Sequence, residues 1–261
     1  MQIELLRICF YSFMYYSWKL FNQLNVMHET ITDFAQMPSV KWFGITILEP
    51  FTVLTNLLIA AVCFYAYFSL KKRKLNVTFT HRYIGYFFLF IGFATIIGGV
   101  VGHAFLYATG LYGKIPGWYT SMAGVALFER AVIAHARPFM NRKVGNFFSV
   151  FNYIEIFTFM SLTLATLNFL FVELHAAYGL FVVVFCFELF VFSKTKDAAL
   201  KNIFIATVFG VIAILCHAFK LGINRWFNYN DVSHLAMAVA ILFYYKAAKN
   251  MKTDFNQISV T

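Results

Sequence analysis

The stretch "FTVLTNLLIAAVCFYAYFSL", Phe51 to Leu70, decides the fold. It is 20 residues without a charge, the length an α-helix needs to cross the hydrocarbon of a bilayer. It also closes on "KKRK" (Lys71 to Lys74), a basic collar suited to a cytoplasmic membrane face. Reading onward, uncharged or nearly uncharged runs recur at Tyr83–Gly113, Gly117–Ala136, Phe147–Val172, Leu174–Ser193, Asn202 to about Gly222, and Asp231–Lys246. The expected fold is therefore all-α: a polytopic membrane protein built as a seven-transmembrane-helix bundle.

Composition agrees. The 261 residues are 61% apolar, 20% aromatic and only 12% charged, with a mean hydropathy of +0.70. A soluble domain is nearer half apolar and a quarter charged. The net charge of +10 does not indicate nucleic acid, because the Lys and Arg residues sit in short loops and no basic domain carries them. Membrane lipids are the expected partners. Cys9, Cys63, Cys186 and Cys216 lie in separate apolar segments with no CxxC pair and read as buried small hydrophobes.

The loops orient the bundle. With the first loop inside, 15 basic residues are inside: Lys71, Lys72, Arg73, Lys74, Arg82, Arg130, Arg137, Arg142, Lys143, Lys194, Lys196, Lys201, Lys246, Lys249 and Lys252. Six are outside: Arg7, Lys19, Lys41, Lys114, Lys220 and Arg225. The expectation is an N-terminus outside and a C-terminus in the cytoplasm. Three regions follow: an amphipathic, interfacial region at 1–48, the membrane domain at 49–248, and a cytoplasmic tail at 249–261. "IELLRICFYSFMYYSWKLF" (Ile3–Phe21) reads as an interfacial helix, with an eighth span as the alternative.

Ionisable groups inside a membrane are costly and mark sites or pairs. The expected topology sorts them into two layers. At the outer end stand Glu49, Thr52, Thr55 and Asn56 on the first span, and His103 on the second. His217 stands on the sixth span, and Asn230, Asp231 and His234 on the seventh. Glu49, Thr52 and Asn56 share a face by their spacing, as do Asp231 and His234. His175 falls in the outer loop before the fifth span and reads as a surface residue. The inner layer holds Glu129, Arg130, Glu155 and Glu188, read as a structural cluster in which Arg130 pairs with a glutamate.

Three short motifs in order carry a resemblance. Glu49-Pro-Phe-Thr52-Val-Leu-Thr55-Asn56 resembles the E-x-x-N-x-x-[ST]-N of the alkaline ceramidase family and its wider superfamily of seven-span membrane hydrolases, which includes the adiponectin receptors. Gly98-Gly99-Val-Val-Gly-His103 is similar to the second-span G-S-x-x-x-H. Asn230-Asp-Val-Ser-His234 is similar to the last-span H-x-x-x-H. The stretch covered is about Glu49 to Lys246. The resemblance implies zinc held by histidines and the cleavage of lipid amide bonds, with His103 and His234 as zinc ligands. Gly99 stands where the family has Ser, Asn230 where it has His, and Lys114 to Phe128 contains no carboxylate. A ligand set of His103, His234 and His217, or of the first two with Asp231, would complete a tetrahedral site with one position open for water. Glu49 or Asp231 would then act as general base. The expected function is a zinc-dependent membrane hydrolase of a lipid amide or ester. The alternatives are a non-catalytic sensor, receptor or small-molecule-binding relative, and a haem protein with His103 facing His217 or His234.

Overall fold

The computed structural model describes residues 36–75 and 78–253. The chain divides into two compact units, Met1–Met37 and Pro38–Thr261. The expected interfacial helix within Ile3–Phe21, and its alternative as an eighth span, lie outside the described residues.

The described chain is mostly helical. Seven long helices follow one another: α1 (Pro50–Lys72), α2 (Phe79–Gly99, running on into a π segment, Val100–Ala104), α3 (Ile115–Ala136), α4 (Arg142–Thr166), α5 (Leu170–Thr195), α6 (Lys201–Ala218) and α7 (Tyr229–Asn250). Five of these helices, α1, α2, α4, α5 and α6, are long and apolar enough to cross a membrane. This fits an integral membrane protein.

Helices α3 and α7 are less hydropathic, and for α3 the packing gives the reason. More than half of α3 is buried, because it touches α2, α4 and α5 together. Small residues such as Gly117, Gly124, Ala126 and Ala131 let its neighbours approach, as at helix contacts in membranes generally. Helix α7 packs on α1 and α6. Helix α4 lies at the periphery with only Gly145, Asn152, Glu155 and Thr163 buried, and its exposed face carries Phe147, Tyr153, Ile154 and Phe157.

Two boundaries differ from those expected. The fourth and fifth helices were expected to meet near Val172–Leu174. The break falls earlier, at Leu167 in the left-handed conformation, and Asn168 then accepts the Leu170 N–H in a new first turn. A continuous apolar run hides such a break, because no Gly or Pro marks it.

The stretch Ser39–Leu48, expected as part of the interfacial region, is an antiparallel β-hairpin belonging to the helical unit. Strand β1 (Ser39–Trp42) pairs with β2 (Ile45–Leu48) from Ser39↔Leu48 to Trp42↔Ile45. Its two-residue turn, Phe43-Gly44, has positive φ at both positions (49° and 79°), which matches the twist of a tight hairpin. β2 leans on the π segment of α2, the segment that carries His103.

Candidate functional site

The first residue of the site is Glu49, directly before α1. It adopts the left-handed conformation (φ 45°, ψ 55°) and does not cap its own helix. A non-glycine residue held there is strained, and such strain concentrates at functional positions. The backbone is pinned on both sides: Glu49 N–H donates to the Pro38 carbonyl at 2.7 Å, and Val53 N–H donates to the Glu49 carbonyl at 3.0 Å. The turn aims the carboxylate away from α1. Oε2 lies 2.7 Å from His103 Nδ1, and Oε1 accepts from Asn228 Nδ2 at 3.2 Å. Burial pushes the Glu49 carboxyl up. The hydrogen bond and charge of His103, the Lys114 ammonium and the Asn228 amide outweigh it, and the carboxyl sits below the usual glutamate value.

His103 stands in the π segment Val100–Ala104, where Phe105 N–H reaches back to the Val100 carbonyl. Such segments recur at functional sites. Just before it, Gly99 is a point of close approach. A Cβ there would lie 2.9 Å from Asn56 Cβ. The serine of the resembling motif therefore has no room here. Gly99→Ser should force α1 and α2 apart, at a cost of about 1–3 kcal/mol. Thermal unfolding in detergent reads this directly, and an unchanged midpoint would show that the helices separate freely.

Helix α7 supplies the rest. Asn228 and Asp231 form a capping box: Asn228 N–H donates to Asp231 Oδ2 at 2.7 Å, and the Asn228 side chain accepts from the N–H groups of the first turn. Asp231 is fully buried, and its Oδ1 accepts from the Thr55 hydroxyl at 3.3 Å. Thr52, also fully buried, lies beside it. His234 Nδ1 is 3.0 Å from Thr55 Oγ1 and 3.5 Å from Asn56 Nδ2. The single Thr55 hydrogen faces two groups that only accept, the Thr52 carbonyl and the Asp231 carboxylate. Thr55 Oγ1 therefore accepts from His234 Nδ1–H, and Nε2 is left with its lone pair.

His217 on α6 joins from the side. Its Nδ1 lies 2.5 Å from Glu173 Oε1 on α5, and its ring meets the edge of Tyr229 at 5.2 Å. Glu49, His103 and His217 all lie in the neighbourhood of His234. The expected outer residues thus gather around one region. Asn230 contributes its N–H to the Asn228 cap. Asp231 has both oxygens engaged, so its capping role competes with any role as ligand or base. No three ligand atoms among Glu49, His103, His217, Asp231 and His234 come within 4.8 Å of one another.

Sequence reasoning missed Asn228, Lys114 and Glu173. Only Asn228 had a signal: Asn-x-x-Asp before an apolar helix is a capping pattern.

The inner cluster needs correcting. Among the described residues Arg130 makes no ion pair. Its Nη1 donates to the Ser149 carbonyl at 2.8 Å and its guanidinium lies over the Tyr153 ring. The glutamates are partnered by other groups. Glu188 meets His135, Glu155 meets His175, and Glu129 accepts from Asn152. His175, expected at the surface, is fully buried. It lies on the inward face of α5, because that helix begins at Leu170 and the loop is shorter than the apolar run suggested.

The model of one family, a family of unknown function designated DUF6962, matches residues 51–253, and the chain belongs to that family. Nothing among the curated proteins or the solved structures matches it.

Proposed function

Starting from membership of DUF6962, we propose that this protein crosses the membrane seven times, N-terminus outside. At its outer pole it would carry a metal-dependent hydrolase site for a lipid amide or ester. One observation carries the reading. Three imidazoles from three helices are each held at Nδ1: His103 by Glu49, His217 by Glu173 and His234 by Thr55. None of the three has a hydrogen bond at Nε2 among the described residues. Histidines that bind metals characteristically give their other ring N–H to a carboxylate or similar acceptor, which fixes the tautomer. Three imidazoles suit zinc. The three motifs that resemble the ceramidase superfamily support the reaction class, and the positive-inside bias supports the orientation.

The donor chemistry fits the ion, and the separation above 4.8 Å means that the rings must draw inward to hold it. His103, His217 and His234 would be the ligands. A bound divalent ion would supply a Lewis acid and a water ionising near neutral pH. The chain's own groups do the rest. Glu49 holds the proton at His103 Nδ1, Thr55 fixes the plane of His234 by accepting from its Nδ1–H, and the Asn228–Asp231 box anchors the start of α7. Glu49→Gln keeps the shape but weakens the hold on His103. Zinc affinity should fall about 10–100-fold in competition with a chelator. An unchanged affinity would remove Glu49 from the site.

A second reading, a non-catalytic sensor or small-molecule-binding relative, has its own support. Asn56 closes the space of the motif serine, and Asp231 is committed to capping. Elemental analysis of detergent-purified protein beside a His234→Ala variant separates the two. One zinc fewer per chain in the variant supports the metal site. An equal zinc content in both after zinc is supplied sinks it and favours the sensor. A Soret band would point to haem instead.

A further inference from the structure

Away from the outer pole, three groups from three helices meet in the interior: Glu129 on α3, Glu155 on α4 and His175 on α5. Their exposures are 1%, 6% and 0%, and one ligand atom of each lies within 4.8 Å of the other two. His175 Nε2 is 2.9 Å from the Met122 carbonyl, which can only accept. Nε2 therefore carries the hydrogen, and Nδ1 faces Glu155 Oε1 at 2.6 Å. Asn152 Nδ2 donates to Glu129 Oε2 at 3.0 Å. Two atoms are left over. Glu129 Oε1 and Glu155 Oε2 are fully buried and have no partner.

A proton shared by His175 and Glu155 leaves both of those oxygens bare, and a bare carboxylate oxygen in an apolar core is costly. Glu129 Oε1 is also aimed at the His175 face of α5. A Cβ on Gly179, one turn after His175, would sit 2.5 Å from it. Glycine at that position is what lets the carboxylate reach across.

We propose that Glu129, Glu155 and His175 bind one divalent transition-metal ion, through Glu129 Oε1, a Glu155 oxygen and His175 Nδ1. Two carboxylates and one imidazole suit zinc, manganese or iron(II). The supporting contacts already exist: the Met122 carbonyl behind His175 and the Asn152 amide behind Glu129. The ion's two charges balance two carboxylates that no Lys or Arg pairs among the described residues, since Arg130 is turned to Ser149 and Tyr153. On binding, the ion takes the place of the proton between Glu155 and His175 and of any proton on the Glu129 carboxyl, and those protons leave to solvent. The site does not depend on the outer one.

The test uses the full chain, purified in detergent, in a His234→Ala background so that the outer site is disabled. After stripping with a chelator, Zn2+, Mn2+ or Fe2+ is added one at a time, the excess removed, and metal per chain and melting temperature measured. About one ion per chain is expected for at least one metal, with a higher melting temperature, because an ion that binds only the folded state stabilises it. Both effects should vanish with Glu129→Gln or Glu155→Gln added. Retention of no ion with any of the three metals would overturn the proposal, as would equal retention in the glutamine variants. If those variants do not purify as single species, metal-edge X-ray absorption of the His234→Ala protein decides. One nitrogen among oxygen ligands is expected, and a shell of several imidazoles would overturn the proposal. The outer site is read from the difference between wild type and His234→Ala, and this one from what remains, so either can fail alone.

Discussion

Replacing His135 with alanine is expected to destabilise the protein by about 3–5 kcal/mol, the cost of breaking a buried ion pair by removing one partner. The pair joins α3 to α5. His135 Nδ1 lies 2.9 and 3.0 Å from the two Glu188 oxygens, and the side chains are 1% and 0% exposed. His135 Nε2–H donates to the Lys252 carbonyl at 2.8 Å, and Lys252 N–H in turn donates to Asp197 at 2.8 Å. The alanine variant would strand the Glu188 carboxylate in an apolar interior. It would also release the segment that follows α7, which His81 holds too, its Nδ1 lying 3.0 Å from Thr253 Oγ1. Thermal unfolding in detergent gives the number. His135→Phe combined with Glu188→Leu should regain most of the loss, because two apolar groups leave no buried charge unpaired. A loss below about 1 kcal/mol in the single variant would mean that Glu188 finds another partner or a proton.

Gly179→Ala should cost about 1–3 kcal/mol, a large effect for one methyl group. The added Cβ meets Glu129 Oε1 and Val125 Cγ1, both at 2.5 Å. Neither neighbour yields easily. Val125 is a β-branched residue in a helix with one preferred rotamer, and Glu129 is held by Asn152. Unfolding in detergent checks the loss. A residue with a larger side chain should cost more, and a tolerated alanine would mean that α3 and α5 can part without penalty.

The sequence was informative wherever a property is local. Hydrophobic run length located α1, α2 and α6 to within a few residues at most ends. It left α3 the weakest run for a definite reason. A helix surrounded by protein has no need of lipid-facing side chains, and α3 keeps its glycines and alanines for close contact instead. The outer polar residues were also recognisable. A charged or amide group is conspicuous in an apolar run, and alternating topology assigns each one an end of the bundle.

Partners were not legible, because they are set by residues far apart in the chain. Glu49 was read as facing a general region of the outer pole. Its positive φ, invisible in sequence, turns it onto His103 and Asn228. Arg130 was the natural partner for a neighbouring glutamate. Its position on the helix points it instead at Ser149 and Tyr153, and His135 and His175 take the glutamates. His175 was placed in a loop because the apolar run passes unbroken through Leu167, where the helix stops.

Taken alone, the sequence determined the class of the molecule, a mostly helical chain with membrane-length apolar helices, and the set of polar residues that could form sites. Those follow from free energies of transfer, which depend on each residue and its immediate neighbours. Only the tertiary structure decided which polar groups meet: Glu49 with His103, Thr55 with His234, His217 with Glu173, and Glu129 with Glu155 and His175. Buried polar groups favour a partner, and each of these partners comes from a different element of the bundle, chosen by packing rather than by spacing along the chain.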